Sequence, residues 1–237
     1  MVRDRTLAEH DSAAPLLRTK IRIESLSDLV FGLALSIGSV FLIGRVPQTG
    51  QDLAVNILLF GFSFLILVMT WVGYSRTMTV LPVEVPFALL LNLLLLFCVA
   101  LEPYLFFNLV SVSVDSLDLL NSESIAYALD VGVMFLLLAA LALMVVKEEQ
   151  RTGSDRGHLR LHPLVLRRFR RVMKAQAIVG AIFIVSALPI FWTMTPIGYL
   201  RFTLWYSSFV ILPAGTLRSV REKGHNGTAP SGPVSVG

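Results

Sequence analysis

Apolar residues in this chain come in six long runs rather than in short stripes. They span roughly Leu26–Ile43, Leu53–Tyr74, Val85–Leu109, Ile125–Val146, Val172–Trp192 and Ile197–Leu212. Each approaches the ~20 residues that a helix needs to cross a hydrocarbon core. None alternates apolar and polar positions with period two, so barrel strands are excluded. Lipid offers the backbone no hydrogen-bond partners, which leaves helices. The pattern predicts an all-α, polytopic membrane protein of six transmembrane helices.

The segments between the runs set the orientation. The N-terminal stretch, the loops after the second and fourth runs and the C-terminal stretch hold every lysine and arginine except Arg45 and Arg201. The other side carries Asp115, Asp118 and Glu123. The bias of basic residues toward the cytoplasm therefore places both termini there. A five- or seven-span arrangement would scatter the same charges over both faces. Residues 1–21 read as a cytoplasmic tail, 22–217 as the six-helix domain and 218–237 as a C-terminal tail, its end rich in Gly, Pro and Ser and expected to be disordered. Pro103 predicts a kink near the outer end of the third helix. The stretch Thr193 to Pro196 predicts a short turn joining the last two helices as an antiparallel hairpin.

Composition agrees. Only 15% of the 237 residues are charged and mean hydropathy is +0.73, against about 25% charged in a soluble domain. The net charge of +4 lies between apolar runs rather than along one face, so it reads as membrane topology and not as a nucleic-acid surface. Cys98 is the one cysteine, which excludes a disulfide within the chain and a cysteine-based metal site. The first run follows a mixed-charge tail and is too long for a cleavable leader.

The first run, RIESLSDLVFGLALSIGSVFLI from Arg22 to Ile43, is the chemically informative one. Asp28 stands just inside the membrane, where an ionisable group costs at least ~2.5 kcal/mol on insertion scales and should face protein or water. In the six-span arrangement Arg22, Ser27 and Asp28 share the inner layer with Trp71 and Arg76 of the second helix and Asn92 of the third. They are expected to form a hydrogen-bonded network anchoring the first helix, with an arginine beside Asp28. An interfacial belt would account for Trp71 and Arg76 equally well, but poorly for Asp28 and Asn92. Leu33, Ile37 and Val40 fall at i, i+4 and i+7 and form one helical stripe, bordered by Ser36. Alone, such a stripe fits a lipid-facing or packed surface.

Arg22-x-x-x-Leu26-Ser27-Asp28 resembles the R-x-x-x-F-S-D motif that opens the first helix of the transmembrane protein 175 family, the endosomal and lysosomal potassium channels and their prokaryotic relatives. Val30-Phe31-Gly32-Leu33-Ala34-Leu35 is similar to the V-F-A-I-A-I of the same helix, Trp71-x-x-x-x-Arg76 to W-x-x-H-x-R, and Leu91-Asn92-Leu93-Leu94 with Pro103 to the third helix. Leu26 stands in place of Phe, and Tyr74 and Ser75 in place of one or two histidines. The last three helices match in length and topology alone. The resemblance implies a homotetramer in a prokaryotic plasma membrane, with the first helices around one axis. It further implies a constriction at Leu33 with Ile37 and Val40 above it, and a hydroxyl at Ser36 tied to cation selection. A narrow aliphatic ring can gate by dewetting, and hydroxyl oxygens ease a partly dehydrated cation through.

Other features carry less. Thr70-Trp71-Val72-Gly73-Tyr74 is not a potassium-channel filter, because a tryptophan interrupts it and it ends a full span. Glu102, Asp130 and Arg201 lie at similar outer depth and read as an ion pair or pairs joining helices, or else as a cation-binding vestibule. His158 and His162 lie four apart without an acidic or cysteine partner, so they read as a solvated loop helix rather than a metal site. No nucleophile–base pair, phosphate-cradling loop or metalloprotease motif is present, so no enzyme activity is expected. The expected function is a potassium-preferring cation channel with no cofactor beyond the permeant ion. A proton-coupled secondary transporter using Asp28, Glu102 or Asp130 is one alternative. A scaffold whose basic stretch Arg156–Lys174 binds anionic lipid or a partner is another.

Overall fold

The structure, a computed structural model, describes residues 22–40, 47–81, 86–111, 116–156, 163–195 and 198–208. The predicted tails, the outer end of the first run, Arg45, Asp115, His158, His162 and Pro196 lie outside them. Five long helices succeed one another in chain order: α1 (Arg22–Val40), α2 (Gly50–Met78), α3 (Pro86–Ser111), α4 (Leu117–Arg156) and α5 (Pro163–Ser186). A 3-10 turn (Pro189–Phe191) and a small antiparallel hairpin of β1 (Met194–Thr195) and β2 (Gly198–Tyr199) lead into a last helix, α6 (200–208). Among the described residues, α1 to α4 are long and apolar enough to cross a membrane. In α5 the arginine-rich first half lowers the hydropathy.

Local chemistry sets the helix starts. Thr49 caps α2 through a reciprocal box: its hydroxyl accepts from the Asp52 N–H at 3.1 Å, and the Asp52 carboxylate accepts from the Thr49 N–H at 3.0 Å. Two of the four N–H groups left unpaired at a helix start are thereby satisfied. Pro86 and Pro163 open α3 and α5, where a missing N–H costs nothing. Pro103 lies inside α3 without ending it.

The long α4 is the hub. It packs against α5, α3 and α2, and Tyr127, Val131, Met134, Leu138 and Leu141 along one ridge are fully buried. Its 40 residues reach about 60 Å, roughly twice a hydrocarbon core. The predicted span Ile125–Val146 is therefore only the middle of the helix. Lys147 to Arg151 (KEEQR) just past the apolar run are good helix formers and neither flank holds a proline, so the helix continues where hydrophobicity stops.

Glycines set the closest crossing. A Cβ on Gly180 of α5 would lie 2.9 Å from the Gly132 carbonyl oxygen of α4, and one on Gly132 would lie 3.1 Å from the Gly180 carbonyl oxygen. Small residues at such a crossing let two membrane helices meet backbone to backbone.

The end of the fifth run differs from the sequence expectation. The helix stops at Ser186 rather than Trp192, and the 3-10 turn and β-hairpin replace the bare turn. Pro189 cannot donate to an α-helical ladder, and the last carbonyls instead accept i→i+3 bonds from Ala187 (3.2 Å) and Leu188 (3.0 Å).

Gly180→Val should force α4 and α5 apart and cost about 1–3 kcal/mol, seen as a lower unfolding temperature of the detergent-solubilised protein. Gly61→Val is the control, because a Cβ there meets nothing within 4 Å; equal losses at both sites would refute the crossing.

Candidate functional site

Helix α1 has two unlike faces. Ser27, Phe31 and Ala34, at i, i+4 and i+7, are buried against the bundle. Leu33, Ile37 and Val40 on the other side remain 58%, 39% and 58% exposed, and Ser36 beside them is exposed too. The Ser36 hydroxyl donates to the Gly32 carbonyl at 2.7 Å, which directs its proton inward along the helix and leaves oxygen lone pairs outward. The residues read as a stripe from spacing alone thus share the face that the subunit does not cover.

The buried face is held by polar contacts near the N-terminus of α1. Ser27 donates to the Ile23 carbonyl at 2.8 Å and its hydroxyl also meets the Tyr74 hydroxyl of α2. The Phe31 ring packs on Tyr74 with centroids 5.6 Å apart. Asn92 of α3 is buried within hydrogen-bonding reach of the same Tyr74 hydroxyl. Its Oδ1 accepts no hydrogen bond among the described residues. Three residues before Tyr74, on the same side of α2, the Trp71 indole N–H donates to Asp28 Oδ1 at 3.1 Å.

Four of the six residues expected to anchor α1 therefore come together: Ser27, Asp28, Trp71 and Asn92. Arg22 and Arg76 do not join them. Both are exposed, and Asp28 takes its hydrogen bond from tryptophan, not from arginine. The centre of the cluster is Tyr74, which in the sequence stands out only as a departure from a histidine pattern. The signal was its position: an aromatic ring with a polar tip replaces another, and it reaches α1 and α3 at once.

Nearer the other end, the ion pair expected among Glu102, Asp130 and Arg201 is not made. Glu102 is buried and accepts from Ser63 at 2.8 Å and Tyr127 at 3.1 Å. The Cys98 thiol stands beside the Asp130 carboxylate, whose Oδ2 has no hydrogen-bond partner among the described residues. Arg201 is fully buried, yet its partners are neutral. It donates to the carbonyls of Ser186 (2.7 Å), Ala187 (3.3 Å) and Leu188 (3.4 Å), to Asn121 Oδ1 (2.8 Å) and to the Ser124 hydroxyl. Its guanidinium also lies 5.1 Å from the Trp192 ring centre. The carbonyls and negative dipole at the end of α5 draw the cation there instead.

No protein-family model matches the sequence, and no curated protein matches it. Solved structures do. One is the potassium channel MtTMEM175, a variant in complex with a nanobody–MBP fusion: TM-score 0.55, 16% identity, covering 84% of this chain and 93% of that one. Another is a lysosomal potassium-selective channel TMEM175 homologue from Chamaesiphon minutus: TM-score 0.54, 19% identity, covering 85% of this chain and 98% of that one. The chain has the TMEM175 fold. Covering 84% and 85% of this chain, the matches extend past the first three helices, the part that carries the motif residues.

If the Tyr74 hydroxyl holds α1 through Ser27, then Ser27→Ala and Tyr74→Phe should each cost about 1 kcal/mol. Together they should cost clearly less than the sum, because they delete one shared bond. Unfolding titrations in detergent provide the measurement, and strict additivity would rule out the contact.

Proposed function

We propose that the chain is one subunit of a potassium-preferring cation channel, assembled as a homotetramer around its α1 helices. The observation that carries this reading is the division of α1 into an anchored face and an uncovered one. A helix fastened by Ser27, Phe31 and Asp28 presents Leu33, Ser36, Ile37 and Val40 to the outside of its own subunit. It does so in a fold shared with potassium channels.

A closed ring of four subunits satisfies each such face identically. Four Leu33 side chains then form the constriction, with Ile37 and Val40 continuing the aliphatic wall. Water leaves a narrow aliphatic ring readily, so the ring can close the path without a moving gate. The Ser36 oxygens supply the polar contact that a partly dehydrated cation needs. Ser27, Asp28, Trp71, Tyr74 and Asn92 are struts, not ion ligands. Six spans with both termini cytoplasmic, in a prokaryotic plasma membrane, complete the reading. No cofactor is required.

One observation favours a second reading. Glu102 and Asp130 are buried acids at membrane depth, which is how proton-coupled transporters hold their couplers. Such transporters usually bind substrate at broken helices. Here α1 to α4 are each continuous, and the two acids sit on α3 and α4, away from the uncovered face of α1.

Purified protein in liposomes should carry a non-saturating potassium flux larger than its sodium flux. Leu33→Ser should raise both, by widening and wetting the ring, and Ser36→Ala should narrow the difference between the two ions. A saturable flux that depends on a proton gradient would favour the transporter. No flux from folded protein of either sequence would leave the pore assignment without support.

A further inference from the structure

The uncovered stripe of α1 does not begin at Leu33. Taken back toward the N-terminus at alternating steps of four and three, it runs Val40, Ser36, Leu33, Leu29, Leu26, Arg22. These spacings keep one seam on one side of a helix. The structure leaves every member open: Leu26 is 50% and Leu29 67% exposed, and Arg22 is exposed as well. Packing within the subunit does not account for a seam of mainly large aliphatic residues that ends in a guanidinium.

We propose that Arg22 forms a ring of positive charge at the cytoplasmic mouth of the pore and slows cation entry from that side. This rests on the channel reading above. Arg22 lies eleven residues before Leu33, about 16 Å along the axis at the same angular position. Leu26 and Leu29 fill the wall between the two. Arginine stays charged at any relevant pH, so a closed tetramer gathers four fixed charges near one axis.

The nearby acids do not cancel that charge. Asp28 is about 120° around the helix from Arg22, and its carboxylate is bound by the Trp71 indole of α2. Glu24 lies about 160° from Arg22, on the other side of α1. Arg76, at the inner end of α2, adds positive charge to the same end of the subunit. Aliphatic walls of low dielectric on the pore side of the ring keep the field from being screened there. Potassium arriving from the cytoplasm must pass the ring before the constriction. Potassium arriving from outside meets it only on leaving. The consequence is inward rectification that weakens as salt screens the mouth.

Single-channel or macroscopic currents across planar bilayers test this with the full-length channel. In symmetric potassium at about 0.02 M the Arg22→Glu variant should carry several-fold more outward current than wild type. The difference should largely disappear near 1 M, where the screening length falls to about 3 Å. Arg22→Lys should behave as wild type.

A second variant covers the possibility that charge reversal disturbs assembly. Arg22→Cys can be modified after folding, and the chain's own cysteine, Cys98, is buried. A cationic thiol reagent applied from the cytoplasmic side should restore rectification, whereas a neutral reagent of similar size should not. A conducting wild type whose outward current is indifferent to the charge at position 22, or changes equally at all salt concentrations, would overturn the ring while leaving the channel standing. A wild type that carries no cation current would overturn the channel reading itself.

Discussion

Helix α1 is held by one face, and the proposed function depends on that asymmetry. Ser27 meets Tyr74, Phe31 packs on the same ring, and Asp28 takes the Trp71 N–H. These contacts are small in energy, each about a kilocalorie per mole. Their effect is geometric. They fix the rotation of α1, and because a helix advances about 100° per residue, fixing Ser27 and Phe31 inward fixes Leu33, Ser36 and Val40 outward. A free α1 could turn its aliphatic stripe into the bundle. An anchored one cannot.

The anchor needs a rigid support, and α4 supplies it. Its buried ridge packs against three other long helices, and the Gly132–Gly180 crossing brings α5 within backbone contact. Gly73 extends the same logic to α2: a Cβ there would lie 2.6 Å from Gln176 Nε2 and 2.8 Å from Leu138 Cδ2. The glycine that brings α2 against α4 and α5 directly precedes Tyr74, so the close packing of α2 and the hold on α1 are one local structure.

Two buried charged residues elsewhere in the bundle, Arg201 and Glu102, find their partners among neutral groups. Arg201 binds the open carbonyl end of α5 and, through Asn121 and Ser124, the start of α4. It thereby ties α6 to the end of α5 and the start of α4. Glu102 is satisfied by the hydroxyls of two neighbouring helices. Charge pairing would have been one solution for these groups. Hydroxyls and carbonyls, which need no counter-charge taken out of water, are another.

Hydrophobic run length determined the helical class and the positions of the first three helices, because a membrane demands a fixed apolar length. Helical spacing likewise determined that Leu33, Ile37 and Val40 share a side. The ends of α4 and α5 were not readable from hydropathy: the first continues through polar residues beyond the apolar run, and the second stops before a proline within an apolar run. The ion pair expected of Arg201 and the arginine expected at Asp28 failed for a common reason. Sequence gives the depth of a residue but not its angle, and a hydrogen bond requires both. The chain alone therefore set which residues can meet in a layer. Only the packing of α1 against α2 and α3 decided that Tyr74 is the centre of that layer, that Arg22 stands outside it, and which face of α1 is left open.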